Sequence, residues 1–158
     1  MTRERKDFET IMDLLDQVVS KMGSQHAVPF DFDTGVPLYR AEIHTVRAIG
    51  LSPGINVTTL AERMGVTKGA ASQTISRLVK KGLVRKVDAA DNERETLLAL
   101  TDMGVRAHLG HERFHMAMFD QVRKHFGDRF KEKIPMFLAV LTDLNDFLDT
   151  MGEHKGKT

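Results

Sequence analysis

The sequence predicts a mainly α-helical fold carrying one small β-hairpin. Apolar residues recur at helical spacing through most of the 158 residues, the mark of helices that each turn one face to a core. Only between Leu83 and Leu100 does the period become extended, as two short apolar runs around a polar stretch. These two observations set the class, and glycines punctuate the elements within it.

Taken in order, Phe8, Ile11, Met12, Leu15, Val18, Val19 and Met22 mark a first helical stripe, with Gly23 as its expected end. A loop with Pro29, Gly35 and Pro37 follows, then a helix from about Tyr39 carrying Ile43, Val46 and Ile49 to Gly50. Val57 to Met64 reads as a short helix. Thr58 or Thr59 is expected to cap its first amides, with Glu62 reaching back as in a capping box, and Gly65 stops it. Thr67 offers the next N-cap. Lys68 to Lys81 then places Ala71, Ile75 and Leu78 on one face, with Gly82 in a C-cap position. Leu83–Val87 and Thr96–Leu100 are the two expected strands, and Asp88 to Glu95 is the tip between them. Thr101 is the N-cap of a long helix running towards Gly127. A last helix carries Phe130, Ile134, Phe137, Leu138, Leu141, Leu144 and Leu148; Pro135 lies near its first turn or kinks it.

Two short helices joined at a glycine and followed by a hairpin make a winged helix-turn-helix. The face of the second helix left free holds Lys68, Ser72, Gln73, Ser76 and Arg77, residues long or polar enough to reach base edges and phosphates from the major groove. Charge supports that direction. The chain carries only +1 overall, but residues 1–62 sum to −3, residues 63–94 to +5 and residues 95–158 to −1. A basic module inside a slightly acidic chain suits phosphate contact, because only a surface facing nucleic acid needs positive potential. A solvated charged helix face is the bland alternative, and the order of motifs decides against it.

Those motifs resemble the MarR family of dimeric transcription regulators. The family shows a recognition helix rich in small residues, a "kGLv.R" segment, an acidic wing ending in Arg, and "LT..G". Here they are Lys81-Gly82-Leu83-Val84-Arg85, Asp91-Asn92-Glu93-Arg94 and Leu100-Thr101-Asp102-Met103-Gly104. The match covers residues 36 to 125; both ends share only helix character. The family's usual wing triplet, Asp-Arg-Arg, falls on Asn92-Glu93-Arg94, so one arginine and its orienting carboxylate are missing.

The resemblance implies one MarR-like domain over residues 1–158, with a winged helix-turn-helix module at 39–101 and a helical dimerisation region at 1–38 and 102–151. It implies a homodimer that binds double-stranded DNA at a pseudo-palindromic operator, acts as a repressor, and changes affinity with an effector. Gln73 is expected to read bases, Ser72 and Ser76 to read bases or touch phosphates, and Lys68, Arg77 and Arg85 to touch phosphates. Arg94 is expected to enter the minor groove at the wing tip. The surplus of phenylalanine and leucine in the first and last helices suits intertwining with a second subunit, although an ordinary core would account for part of it.

Composition removes several classes. With no cysteine, the sequence has no disulfide, thiolate metal ligand or thiol switch. The N-terminus lacks the apolar core of a signal peptide, and no apolar run approaches the roughly 18 residues of a membrane span. A cytoplasmic location without membrane contact is expected. Most of the nine methionines read as gap-fillers in a core.

Histidine is the other informative residue. His111 and His115 lie four apart on the expected long helix, so their imidazoles share a face on which one metal ion could sit. The segment His111-Glu112-Arg113-Phe114-His115 also spells H-E-x-x-H, which as a peptidase motif would make Glu112 the general base. That likeness covers five residues, on a helix that follows a wing rather than a substrate-binding sheet. The chain is therefore read as a non-enzyme, with metallopeptidase as the remote alternative.

Similarity to the zinc-uptake repressors of the MarR family fits these histidines better. It implies one zinc site in which His111 and His115 occupy the positions on the long helix and His44 the position on the second helix. His26 falls where those repressors have a carboxylate. Asp31 and Asp33 are substitutes in the same loop. A second site of that branch would fall on Ile43 and Gly110, which cannot ligate through side chains. His108, His125 and His154 read as surface residues. The alternative effector is a small aromatic or anionic molecule in the cleft between arm and wing module, and the alternative use of the fold is protein contact alone.

Overall fold

The computed structural model describes the backbone at residues 2–26, 28–89 and 92–155, leaving undescribed the side chains at 24–26, 88–89, 92–95 and 152–155. Its elements run α1 (Arg3–His26), α2 (Arg40–Leu51), α3 (Val57–Arg63), α4 (Lys68–Lys80), β1 (Val84–Ala89), β2 (Asn92–Leu100), α5 (Asp102–Phe126) and α6 (Arg129–Lys155). The mainly helical class with one hairpin is therefore the observed one. The chain divides into two compact units, Met1–Arg113 and Phe114–Thr158, with the boundary inside α5.

In the first unit the core gathers the apolar faces of α2, α3 and α4 with the base of the hairpin. Leu38, Ile49, Leu60, Ile75, Leu78, Leu83 and Leu98 are each at most 1% exposed. The strands pair antiparallel from Val84↔Leu100 to Asp88↔Thr96, with an irregularity between Asp88 and Ala89. A third extended segment joins their base: Leu98 N–H donates to the Ile55 carbonyl at 3.0 Å and Gly54 N–H to the Leu98 carbonyl at 3.2 Å. The loop before α3 is thereby tied to the wing.

The N-terminal half of α5 packs through small side chains. Gly104, Ala107, Gly110 and His111 are its buried residues, three or four apart on one face. A Cβ at Gly104 would collide with the Leu83 carbonyl, and one at Gly110 would meet the Phe32 carbonyl at 2.7 Å. The glycine of the Leu100-Thr101-Asp102-Met103-Gly104 motif is thus required by a backbone-to-backbone approach. Thr101 caps this helix as expected, its Oγ1 accepting from Gly104 N–H at 3.1 Å.

Four local expectations change. Gly23 does not end α1, which continues to His26; an interior glycine costs a helix only about 1 kcal/mol and stops it only where a left-handed turn follows. The cap of α3 is Asn56, whose side chain accepts from Thr59 N–H at 2.8 Å, so Thr58 and Thr59 already lie inside the helix. The strands also reach further into the charged stretch than Leu83–Val87 and Thr96–Leu100, while Leu83 stays outside β1 as a core residue. Pro135 lies within α6 rather than at its first residues. Among the described residues, no helix is long and apolar enough to cross a membrane.

Candidate nucleic-acid interface

The turn between α3 and α4 is made by Gly65 at φ +63°, in the left-handed region that glycine enters without steric cost. Thr67 then caps α4, accepting from Ala70 N–H at 3.2 Å. Gly82, at φ +74°, turns the chain out of α4 into β1. Between these two turns Ala71, Thr74, Ile75 and Leu78 are buried. Lys68, Ser72, Gln73, Ser76 and Arg77 are all exposed on the remaining face, and Arg85 is exposed on β1. The side chain of Arg94, expected at the wing tip, lies outside the described residues.

These side chains are not equivalent. Ser76 donates its hydroxyl to the Ser72 carbonyl at 2.9 Å, so its proton is committed to the helix while its oxygen can still accept. The Gln73 side chain makes no hydrogen bond to the described residues, leaving both donors and the acceptor of its amide for an external partner. Arg77 donates to Thr74 Oγ1 at 3.0 Å, which lays the guanidinium back along the helix.

Glu42 escaped the sequence reading as a participant in this region. It is 2% exposed on α2, its Oε2 accepting from Tyr39 N–H at 3.0 Å and from Lys81 Nζ at 2.7 Å, with Arg77 Nε 3.9 Å from Oε1. Its local role was visible as a carboxylate three residues after the N-cap. Its second role could have been suspected from the two cations four apart at Arg77 and Lys81, one helical turn of α4.

A second cluster surrounds the predicted metal ligands. The rings of His44 and His111 stand edge to face with centroids 5.3 Å apart, and Phe32 meets His111 at 5.4 Å. His111 is 3% exposed. The side chain of His26 is outside the described residues; His115 is exposed one turn further along α5, in the second unit. Among the described residues, no group of three or more histidine or carboxylate side chains could hold a metal ion.

The two substitute carboxylates have other work. Asp31 accepts from the N–H groups of Thr34 and Gly35 at 2.7 and 2.9 Å, and Asp33 pairs with Arg113. Phe32 and Asp33 both sit at positive φ, 49° and 62°, a costly conformation for a phenylalanine that burial of its ring offsets.

Glu112, the base that a peptidase would need, accepts from Arg47 Nε at 2.9 Å. That hydrogen bond and the positive charge of Arg47 hold its pKa below the usual carboxylate value, the wrong direction for a general base near neutrality. His108 is not the surface residue expected. It is half-buried, its ring lies where a Cβ on Gly50 would meet it at 3.1 Å, and its Nδ1 has no hydrogen-bond partner among the described residues. His125 is exposed as expected, and the His154 side chain lies outside the described residues.

Comparison with known proteins agrees with this geometry. The model of the MarR family matches residues 37–95, the segment from the start of α2 into the wing. An uncharacterized HTH-type transcriptional regulator, YhjH of Bacillus subtilis (strain 168), is 32% identical over 104 residues, which are 66% of this chain and 59% of YhjH. The transcriptional regulator HosA of Escherichia coli O157:H7 is 31% identical over 104 residues, covering 66% of this chain and 70% of HosA. The match thus spans under two thirds of YhjH and more of HosA. Streptococcus pneumoniae FabT, solved in complex with DNA, superposes with a TM-score of 0.70 at 23% identity, over 94% of this chain and 99% of that one. The zinc-responsive MarR family member ZitR of Lactococcus lactis gives 0.64 at 19% identity, over 85% and 96%. Both structural likenesses concern the fold.

Proposed function

The chain belongs to the MarR family, and on that premise we propose that it is a cytoplasmic homodimeric transcriptional repressor that binds duplex DNA at a pseudo-palindromic operator. The observation that carries this reading is the division of α4 into a buried face of Ala71, Thr74, Ile75 and Leu78 and an exposed face of Lys68, Ser72, Gln73, Ser76 and Arg77. A helix so divided, exposed on a basic module, is built to enter a major groove. In a dimer the two such helices address half-sites about one helical turn apart.

Gln73 pairs with adenine, Lys68, Arg77 and Arg85 contact phosphates, Ser72 and Ser76 serve either purpose, and Arg94 enters the minor groove. The apolar surface of α1 and α6 supports the dimer, because Phe8, Phe137 and Leu138 are each at least 60% exposed. The test is selection of duplexes from a random-sequence pool, followed by titration of the selected duplex across salt concentrations. Gln73→Ala is expected to relax sequence preference and leave non-specific binding nearly intact. Removal of Arg85 or Arg94 is expected to flatten the log–log salt dependence by about 0.9 for each phosphate no longer neutralised. Enrichment of no duplex rejects the reading.

We further propose zinc as the effector and co-repressor, held by His44 and His111 with His26 and His115, the ligands that the family resemblance supplies. The support is the closeness of the His44 and His111 rings on two different helices. Bound zinc would supply a fixed tie between α2 and α5, favouring dimers whose reading helices already match the half-site spacing. His111→Ala is expected to abolish a zinc-dependent gain in DNA affinity. A wild type without that gain would reject zinc and leave a small aromatic or anionic effector in its place.

A further inference from the structure

We propose that Glu42 is a positioning residue for sequence reading: its buried carboxylate, shared by Arg77 and Lys81, fixes how α4 presents Gln73 and Arg77. This rests on the DNA-binding reading of α4. A carboxylate 2% exposed is costly to bury unless its charge is compensated. Glu42 has three compensating partners, Tyr39 N–H, Lys81 Nζ and the Arg77 guanidinium. The two cations come from one turn at the C-terminal end of α4, so the acid grips that helix from α2.

Apolar packing of Ala71, Ile75 and Leu78 alone is non-directional and leaves small rotations of α4 inexpensive. The charged grip is directional. Lys81 extends it by donating also to the Pro37 carbonyl at 2.8 Å, which fastens the end of α4 to the entry of α2. Arg77, with its side chain 54% exposed, is held between Glu42 and the Thr74 hydroxyl, which itself donates to the Ala70 carbonyl at 3.1 Å. The guanidinium is thereby aligned along the turn that carries Gln73. Loss of the carboxylate charge would release Arg77 from Glu42 and let α4 shift about its axis.

The experiment compares wild type, Glu42→Gln and Arg77→Lys on the duplex that the wild type enriches from a random pool and on an unrelated duplex, with folding followed by circular dichroism. For Glu42→Gln the ratio of specific to non-specific affinity is expected to fall roughly tenfold, the scale of one misplaced base contact. Affinity for the unrelated duplex should hold or rise, and the salt slope should hold, because Arg77 meets its phosphate in both proteins. Arg77→Lys keeps the charge but cannot bridge Glu42 and Thr74, so its ratio should fall while its salt slope holds; it decides the question if Glu42→Gln does not fold. An unchanged ratio in the folded variants, or a parallel loss on both duplexes that tracks the folded fraction, overturns the proposal. Absence of any enriched duplex for the wild type overturns the DNA-binding reading first, and the positioning role with it.

Discussion

Leu60 and Leu78 are wholly buried, while Phe137 and Leu138 are 61% and 64% exposed, although all four recur at helical spacing on apolar stripes. The first pair belongs to the helix-turn-helix, where α2, α3, α4 and the hairpin cover one another; the second belongs to α6. Stripe-bearing α1 resembles α6 in this respect, with Phe8 60% and Val19 67% exposed. Periodicity therefore declares that a helix has an apolar face, and says nothing of what covers it. In the reading module the cover lies within the chain. For α1 and α6 we infer that it comes from a second copy, since large apolar side chains exposed in such number along a helix are unusual on a protein that works alone.

The sharpest test of that contrast is to truncate residues of each kind. Leu78→Ala is expected to destabilise the folded chain by about 2–5 kcal/mol in urea unfolding, through forfeited transfer energy and the cavity left behind. Phe137→Ser with Leu138→Ser should instead convert the proposed dimer to monomer by analytical ultracentrifugation and reduce the dependence of melting temperature on protein concentration. A doubly substituted chain that sediments like the wild type would break the comparison.

A smaller loss is expected at the seam between α5 and the wing. Gly104→Ala places a methyl group against the Leu83 carbonyl, and overpacking of this kind costs about 1–3 kcal/mol. Gly127→Ala, where nothing lies within 4 Å of the added carbon, meets only the backbone strain of φ +57°. Equal melting temperatures for wild type and Gly104→Ala would mean that α5 can withdraw from the wing without penalty.

The helix caps discriminate more finely. Asn56→Ala should cost about 1 kcal/mol by removing the acceptor of Thr59 N–H, whereas Thr58→Ala should change stability by only a few tenths. The reverse order would restore the threonine as the cap.

The smallest effect belongs to Arg47–Glu112. The folded pKa of Glu112 is lowered, so its contribution is present above the unfolded carboxylate value of about 4.3 and is lost as pH falls through the lower folded value. Both side chains are 43% exposed, and solvent screening limits the pair to under about 1 kcal/mol. Glu112→Gln should reduce stability slightly at pH 7 and leave it unchanged near pH 2. A difference that grows on acidification would contradict the sign.

What the sequence determined by itself was the reading helix: Gly65, Thr67, the Ala71–Ile75–Leu78 face and Gly82 are signals within one stretch of chain, and each acts where its residue type predicts. The exposure of Lys68, Ser72, Gln73, Ser76 and Arg77 follows from the same period, because burying one face of a helix leaves the other outside. The end of α1 and the cap of α3 were misplaced by single residues of ambiguous type, since Gly23 tolerates a helix interior and Asn56 caps as well as a threonine does. Tertiary structure alone decided that Glu42 would meet Arg77 and Lys81 and that Asp33 would pair with Arg113, whereas the nearness of His44 to His111 was expected only through the family resemblance. Those partners lie far apart along the chain, and no local preference encodes such separations; they follow only from how the packed faces of α2, α4 and α5 bring separate helices together.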